Sequence, residues 1–406
     1  MTSGLLSSPF FLAFLFGLMG LIALSYLAYF FDRVFIKKRI SKIDVIVLMF
    51  LFVLPVYTAI NANISFNQSY IDGLFSAWGK QVSILFVVLY QFFIRAKNVS
   101  VKKILFVVMC FAWFDVASKF YLTLTLNPAT LVDTDLVGYN PAKGGYVFRF
   151  DATMAQIAVI FYFTSFIITK KWYHLIGLGA FLGYMLFIDK GRIDIMSLFV
   201  VMGFSMIRNL SPINFVRTAL ILGIVAGVSI TIVYQFAPDQ ILVLRNMLGN
   251  FVLTVLGIDT GENSASSRFV QFGIVFNHFV KHPEQMIFGV GILQRETMNL
   301  LFGHLYLSDI GIVGLFFTFG IVGVIILYSL FIYALRMMWS IKYYKQDLYY
   351  KLTESILVLL FFSSFFNGAF IWAPGGFLTF LLFLHTFTLM EKSYAQQLLM
   401  QEEKLQ

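Results

Sequence analysis

A histidine, a tyrosine and an aspartate stand close together in the stretch GHLYLSD, which begins at Gly303. A neutral imidazole is well suited to removing a proton from a hydroxyl group near neutral pH, and such help is worth about 10² to 10⁴ in rate. His304 is therefore a candidate general base, which Asp309 could orient and to which Tyr306 could donate a hydrogen bond. The alternative is an interfacial histidine whose ring is satisfied by a backbone carbonyl.

Arginines offer a second kind of chemistry, because a guanidinium binds phosphate oxygens through a planar fork of N–H groups. Five arginines fall in segments that we place outside the membrane. The opposite side carries 6 arginines and 13 lysines, whereas the rest of the chain carries five of each. The five are Arg149, Arg192, Arg245, Arg268 and Arg295. This bias favours an anion-binding surface on the outer side.

Arg192 and Arg268 are the strongest anion-binding candidates among these arginines. Arg192 follows Lys190 in a tight turn between two apolar runs, although the charges of that turn could simply pair with one another. Arg268 follows Ser266 and Ser267, either of which could cap a helix start and place the guanidinium beside free backbone N–H groups. We expect both arginines to hold a phosphate-containing substrate.

The composition requires a membrane. Of the 406 residues, 60% are hydrophobic and only 12% are charged, and Phe alone occurs 49 times. No soluble domain could bury that many large apolar side chains. The apolar runs are long and unbroken, which favours helices over a closed barrel. We therefore predict an all-α, polytopic membrane protein that forms one integral membrane domain over residues 1–406.

The apolar runs predict about eleven transmembrane helices and one long outer loop. The loop covers residues 237–309 and contains apolar residues at helical spacing, so we expect it to be largely helical. A smaller outer loop covers about 127–151. The helices are expected at about 9–31, 44–61, 82–95, 104–124, 152–169, 173–188, 194–207, 218–236, 310–335, 354–371 and 376–390.

The distribution of basic residues predicts the orientation. One set of loops carries 19 of the 29 Lys and Arg residues, and short basic loops remain in the cytoplasm. The N-terminus is therefore expected outside and the C-terminus inside, with the first span retained as an anchor. This asymmetry also accounts for most of the net charge of +9, so we do not expect nucleic acid as a partner.

Two acidic motifs carry less information. Asp115 and Lys119 are four residues apart within one apolar run and are expected to neutralise each other, although an intramembrane carboxylate can also mark a proton path. Asp133 and Asp135 have the spacing of a carboxylate pair for a divalent metal, but a hydrated loop is the preferred explanation.

Histidine and cysteine do not indicate a metal site. His278 and His282 share a helical face and could both bind a metal, yet no third ligand has an obvious position. Cys110 is the only cysteine, so a disulfide within one chain is excluded. We predict neither a metal nor a cofactor.

The order of motifs over residues 189–323 resembles the O-antigen polymerase and O-antigen ligase superfamily. These motifs are an arginine after a tight turn (GRIDIMSLFVV), an arginine opening a helix that ends in His-Pro (SSRFVQFGIVFNHFVKHP), a glycine pair (FGVGILQ) and GHLYLSDIGIVGLFFTFGIVG. Leu305 follows His304 where that family usually has an asparagine.

The resemblance implies a GT-C-type membrane glycosyltransferase at the outer face of the bacterial inner membrane. Its substrates would be glycans carried on undecaprenyl pyrophosphate. By the resemblance, Arg192 and Arg268 hold the pyrophosphate and His304 is the base. Substrate binding is further expected at Arg149, Lys190, Arg295, Tyr306 and Asp309.

The sequence thus predicts a polymerase that joins lipid-linked oligosaccharide repeat units into O-antigen, capsule or exopolysaccharide. Its other partners would be membrane lipid and a chain-length regulator protein. The nearest alternative is an O-antigen ligase that transfers glycan to the lipid A core of lipopolysaccharide. An alternative from another class is a transporter or flippase of lipid-linked glycans, although no internal repeat is visible.

Overall fold

The fold is known from a computed structural model. It describes residues 48–81, 101–125, 137–140, 145–148, 153–189, 191–236, 263–303 and 305–367, together with scattered positions within 24–45, 241–249 and 380–394. The description below concerns this part of the chain.

The described residues are predominantly helical. Their α-helices are α1 (Leu54–Phe66), α2 (Tyr70–Gln81), α3 (Val101–Thr125), α4 (Thr153–Thr169), α5 (Tyr173–Tyr184), α6 (Arg192–Asn209), α7 (Pro212–Phe236), α8 (Asn263–Lys281), α9 (Pro283–Phe288), α10 (Arg295–Phe302), α11 (Gly311–Ser340) and α12 (Leu348–Asn367). π-Helical turns at Met49–Val53 and Met185–Asp189 precede α1 and follow α5, and a 3₁₀ turn at Leu307–Ile310 precedes α11.

Three described helices are long and apolar enough to cross a membrane, at Val101–Thr123, Leu307–Ser340 and Leu348–Phe366. Shorter apolar helices occur at Thr153–Thr169, Tyr173–Ile188 and Pro212–Val228. A helical membrane protein is therefore supported. The spans predicted at 9–31, 82–95 and 376–390 lie wholly or partly outside the described residues, so the count of eleven stays a prediction.

A short β-hairpin departs from the expectation of an all-helical chain. Strands β1 (Val137–Asn140) and β2 (Gly145–Phe148) pair antiparallel, with Gly138 opposite Val147. They lie within the smaller loop predicted at 127–151. β2 contacts the π-helical turn at Met185–Asp189. The glycine and aromatic residues in this stretch show no helical periodicity. The backbone N–H and C=O groups are paired in a hairpin instead of a helix.

The core of the bundle is built around α4 and α12. α4 contacts α3, α5, α6 and α12, and most of its side chains are buried. α3 differs, because Phe106, Phe111 and Phe114 are all more than half exposed. In a membrane protein, such an apolar face is solvated by lipid tails.

Contacts at the two ends of α12 show how the helices alternate in direction. Gly311, at the start of α11, lies against the backbone of Phe365 and Phe366 near the end of α12. At the other end, Arg208 near the end of α6 pairs with Glu354 near the start of α12. α12 is therefore antiparallel to both α11 and α6, as alternating membrane spans require. The side that faces the cytoplasm stays a prediction from the basic residues.

Candidate functional site

Two helices, α8 and α9, form the first continuous stretch of the long loop that the structure describes. α8 ends at Lys281, and α9 begins with Pro283 after His282, so the helical pattern predicted in this stretch and its His-Pro boundary are confirmed. Residues 237–262 of the predicted loop lie largely outside the described structure. The predicted cap at Ser266 or Ser267 is wrong, because α8 already begins at Asn263. Arg268 therefore lies in the second turn of α8, beyond the first free N–H groups. Its side chain is partly buried.

A buried glutamine connects α8 with the chain that follows His304. The side-chain oxygen of Gln271 accepts a hydrogen bond of 3.0 Å from the backbone N–H of Tyr306. Gln271 is only 3% exposed. It lies one helical turn after Arg268, and Tyr306 lies two residues after His304. The contact therefore holds the backbone that follows the candidate base His304 against α8, the helix that carries the candidate phosphate-binding residue Arg268.

An apolar cluster, which we call the loop core, lies beneath these elements. Its buried members are Ala62, Val275, Val290, Leu293, Met298, Leu305, Leu307, Ile310 and Phe317. They come from α1, α8, the segment before α10, α10 itself, the 3₁₀ turn with the residues just before it, and α11. The loop core thus holds much of residues 263–310 on the ends of two helices of the bundle.

Leu305 has a structural role in this cluster. Its side chain is 5% exposed within the loop core. An asparagine there would need hydrogen-bond partners for its amide in an apolar surrounding. The leucine that replaces the asparagine usual in the resembling family therefore fits its surroundings.

The glycine pair Gly289 and Gly291 forms a crossing between the loop and a kink in α11. Val290 and Gly291 donate backbone hydrogen bonds of 2.9 Å each to the carbonyls of Phe317 and Thr318. α11 is interrupted at Gly320, which has φ 63° and ψ −176°. A Cβ atom on Gly289 would lie 2.6 Å from the carbonyl carbon of Phe319, so the two backbones touch without side chains between them.

Polar side chains of α1 satisfy the backbone carbonyls at this crossing. The hydroxyl of Tyr57 donates to the carbonyls of Phe288 at 2.7 Å and of Phe319 at 3.0 Å. Asn61 also donates to the Phe288 carbonyl. Because an unpaired backbone group inside a membrane is costly, these contacts make the interrupted helix tolerable.

Gln68 anchors the next part of the loop. Its amide donates to the carbonyl of Ile292 at 3.2 Å, and its oxygen accepts from the backbone N–H of Gln294 at 3.0 Å. Gln68 itself is 7% exposed. α10 begins at the next residue, Arg295, so Gln68 fixes the start of the helix that this arginine opens.

His278 lies at the edge of the loop core. Its ring lies 5.2 Å from that of Phe302 and 5.5 Å from that of Phe317, and its Nε2 is 2.6 Å from the side-chain oxygen of Gln285. Burial lowers the pKa of His278 below its ordinary value, and the hydrogen bond with Gln285 opposes this only in part. The ring of His278 is therefore packed among neighbouring side chains and does not lie in an open site.

His278 and His282 are neighbours, as the helical spacing predicts. Their ring centroids are 4.9 Å apart. Within the described part of the chain, no group of three or more His, Cys, Asp or Glu side chains is arranged to hold a metal ion.

The structure describes some of the predicted site residues and leaves the others outside the described part of the chain. Arg295, Tyr306 and Asp309 are exposed, and Asp309 lies in the 3₁₀ turn with its carboxylate 3.3 Å from the hydroxyl of Ser308. Arg192 is the first residue of α6. The placement of Arg149, Lys190 and His304, and of the Arg192 side chain, lies outside the described structure. Whether Arg192 and Arg268 share one cavity stays a prediction.

The expected pairing of Asp115 and Lys119 is confirmed, with a third partner. Lys119 Nζ lies 3.1 Å from Asp115 Oδ2 and donates to the hydroxyl of Tyr184 at 2.7 Å. Lys119 is fully buried, and Tyr184 immediately precedes the π-helical turn that leads to Arg192. The ion pair lies within α3, and the hydrogen bond from Lys119 to Tyr184 holds α3 against the end of α5, just before that turn.

Comparison with known proteins adds no relative. No protein-family model matches the chain, and no curated protein is significantly similar to it. Function must therefore be argued from the residues themselves and from the stated resemblance.

Sequence reasoning missed the polar residues that hold the loop in place. Gln68 and Gln271 contact backbone groups 224 and 35 positions away, respectively. Tyr57 and Asn61 reach Phe288 across more than 200 positions. The available signal was chemical, because a buried amide or hydroxyl in an apolar helix requires a partner.

Proposed function

We propose that this chain is a membrane glycosyltransferase that polymerises undecaprenyl-pyrophosphate-linked oligosaccharide repeat units into a surface polysaccharide at the outer face of the inner membrane. The supporting observation is the hydrogen bond between Gln271 and Tyr306. It joins the helix of Arg268 to the segment that follows His304. Arg268 is the candidate phosphate-binding residue and His304 is the candidate base, and glycosyl transfer from a pyrophosphate needs both.

The reaction assigns one role to each kind of residue. A hydroxyl oxygen of the acceptor sugar attacks the anomeric carbon of the donor, and the bond from that carbon to the pyrophosphate oxygen breaks. His304 takes the hydroxyl proton. Undecaprenyl pyrophosphate leaves with the bonding electrons, so negative charge grows where Arg268 and Arg192 bind. Arg149, Lys190 and Arg295 contribute further positive charge to substrate binding.

The arrangement of the loop supports a preorganised site. Electrostatic stabilisation requires charged groups that are already in place when the transition state forms. Gln68 anchors the chain before Arg295, and Gln271 anchors the chain after His304. The loop core packs beneath both anchors. Tyr306 and Asp309 are exposed above it and are available to a substrate hydroxyl.

Buried Leu305 favours a polymerase over an O-antigen ligase within this proposal. The ligase assignment is associated with an asparagine after the histidine, and the loop core here takes an apolar side chain at that position. The product would then be O-antigen, capsule or exopolysaccharide rather than glycan on lipid A core.

Reconstitution tests the proposal directly. The full chain is inserted into proteoliposomes with undecaprenyl-pyrophosphate-linked repeat units as both donor and acceptor. We expect longer lipid-linked glycans and one released undecaprenyl pyrophosphate per bond formed. Transport of the substrate across the bilayer without any new glycosidic bond would instead identify a flippase. Transfer only to added lipid A core would identify a ligase.

A further inference from the structure

A cavity on the opposite side of the bundle lies outside the proposed glycosyl-transfer site. Its volume is about 580 Å³, and it lies between α6, α11 and α12. Phe204, Ile332, Leu335 and Phe361 give it apolar walls. Ile332 and Phe361 are 53% and 42% exposed, so the cavity opens to the surroundings of the bundle. Its size is within the range of about 300 to 1,000 Å³ that small-molecule sites occupy.

One end of this cavity is charged. Arg208 Nε lies 3.5 Å from Glu354 Oε1, and the two side chains are 56% and 9% exposed, respectively. Lys351 lies within electrostatic range of both. Lys351 does not line the cavity. Because Arg208 is exposed and its partner Glu354 is buried, the charge that this end presents to its surroundings is positive. The contact with Glu354 is made through Nε of the guanidinium, and among the described residues no hydrogen-bond acceptor is found for its Nη groups.

The charged end lies at the level where the helices leave the bundle. α6 ends at Asn209, one residue after Arg208, and α11 ends at Ser340, one residue after Trp339. Trp339 lines the cavity and is 55% exposed. Tryptophan and arginine at the end of apolar helices are typical of the depth of lipid headgroups. The basic residues predict that this is the cytoplasmic side.

We propose that this cavity is a binding site for an anionic phospholipid of the cytoplasmic leaflet. The lipid phosphate binds the Nη groups of Arg208, and Glu354 orients the guanidinium through Nε. One acyl chain lies along Ile332, Leu335 and Phe361. The apolar walls select a lipid over a soluble phosphate, and the exposed positive charge of Arg208 selects an anionic headgroup over a zwitterionic one. This site is independent of the proposed glycosyl transfer.

Lipid retention measures this binding. The full chain in detergent is exchanged into a mixture of phosphatidylglycerol and phosphatidylcholine in equal amounts, and the lipids that remain bound are identified by native mass spectrometry. We expect phosphatidylglycerol to be retained preferentially. Arg208→Gln should lower its retention about 10-fold. Arg217→Gln is the matched control, because Arg217 is an exposed arginine on the same predicted side that does not line the cavity.

Two further variants keep the test independent of folding. Arg208→Gln leaves Glu354 buried without its partner, so the double variant Arg208→Gln/Glu354→Gln removes both charges together. It should also lose the preference for phosphatidylglycerol. Ile332→Trp, a change at a half-exposed position, should block retention of both lipids by filling the cavity. Unchanged retention in the double variant and in Ile332→Trp would overturn the proposal. Equal competition by glycerol phosphate would assign the site to soluble phosphate and overturn the lipid assignment.

Discussion

The side-chain oxygen of Gln271 lies 3.0 Å from the backbone nitrogen of Tyr306, although 35 positions separate the two residues. This single contact connects α8, which carries Arg268, to the chain after His304. A buried amide oxygen that accepts one defined backbone N–H fixes both position and direction. This hydrogen bond therefore links the helix of one candidate group to the segment that follows the other.

Replacing Gln271 with leucine should lower the rate of glycan synthesis strongly while the protein stays folded. The Tyr306 N–H loses its partner, which costs about 1 to 3 kcal/mol, and the segment after His304 loses its attachment to α8. We expect glycan synthesis to fall about 10-fold or more while the protein remains folded in detergent. Asn277→Leu makes a similar change at an exposed position of the same helix and serves as the control. Equal turnover in the two variants would show that the contact is not needed.

Gly320→Ala should destabilise the crossing between α11 and the loop. Its backbone conformation is adopted almost only by glycine and costs about 1 to 3 kcal/mol in other residues. A Cβ atom there would also meet the backbone of Phe288 and Gly289. Thermal unfolding should therefore shift downwards. Gly203→Ala is the control, because a Cβ at that helical position meets open space and should be neutral or stabilising.

Lys119→Met should be strongly destabilising. It leaves the carboxylate of Asp115 without its cation in an apolar surrounding, at a cost of about 3 to 5 kcal/mol. The double variant Asp115→Asn/Lys119→Met should recover part of this loss, because no unpaired charge remains. Folded yield after purification measures both. Lys102→Met, an exposed change on the same helix, should have little effect; a similar loss there would rule out the buried ion pair as the cause.

The loop should open in mild acid through His278. Burial lowers its pKa below the ordinary value of 6.5, so the unfolded chain binds the proton more readily than the folded chain. This contribution to stability is complete above about pH 6.5 and is lost as the pH falls below that value towards the folded-state pKa. Protease sensitivity of the loop should therefore rise from pH 7.5 to 5.5 in the wild type and change less in His278→Gln. His282→Gln should behave like the wild type, and the same acid response in His278→Gln would assign it to another group.

Periodicity and composition predicted the class of the molecule and several of its elements. The apolar run at 104–124 appears as the helix Val101–Thr125, and the amphipathic pattern after Asn263 appears as α8. These features depend on neighbouring residues along one helix, so a local pattern is sufficient. The pairing of Asp115 with Lys119 was predictable for the same reason.

The crossing at Gly289 and Gly320 was not predictable from such patterns. Gly320 lies within an apolar run that reads as one continuous helix, and the interruption depends on the loop that packs against it. The side chains that donate hydrogen bonds to the carbonyls at this crossing are Tyr57 and Asn61, which lie far away in sequence. The start of α8 was predicted a few residues late, because Ser266 and Ser267 are good caps that the helix passes over. Tertiary contacts decided the interruption at Gly320.

Turnover of His304→Ala and Arg268→Lys in the reconstituted assay tests the central claim most directly. A general base accelerates the chemical step, so His304→Ala should lower glycan synthesis by about 10² or more while binding of the lipid-linked substrate and protein abundance stay nearly unchanged. Arg268→Lys should also be impaired, because a point charge does not replace the planar fork on a pyrophosphate. Full-length glycan formed by His304→Ala at the wild-type rate would contradict the account.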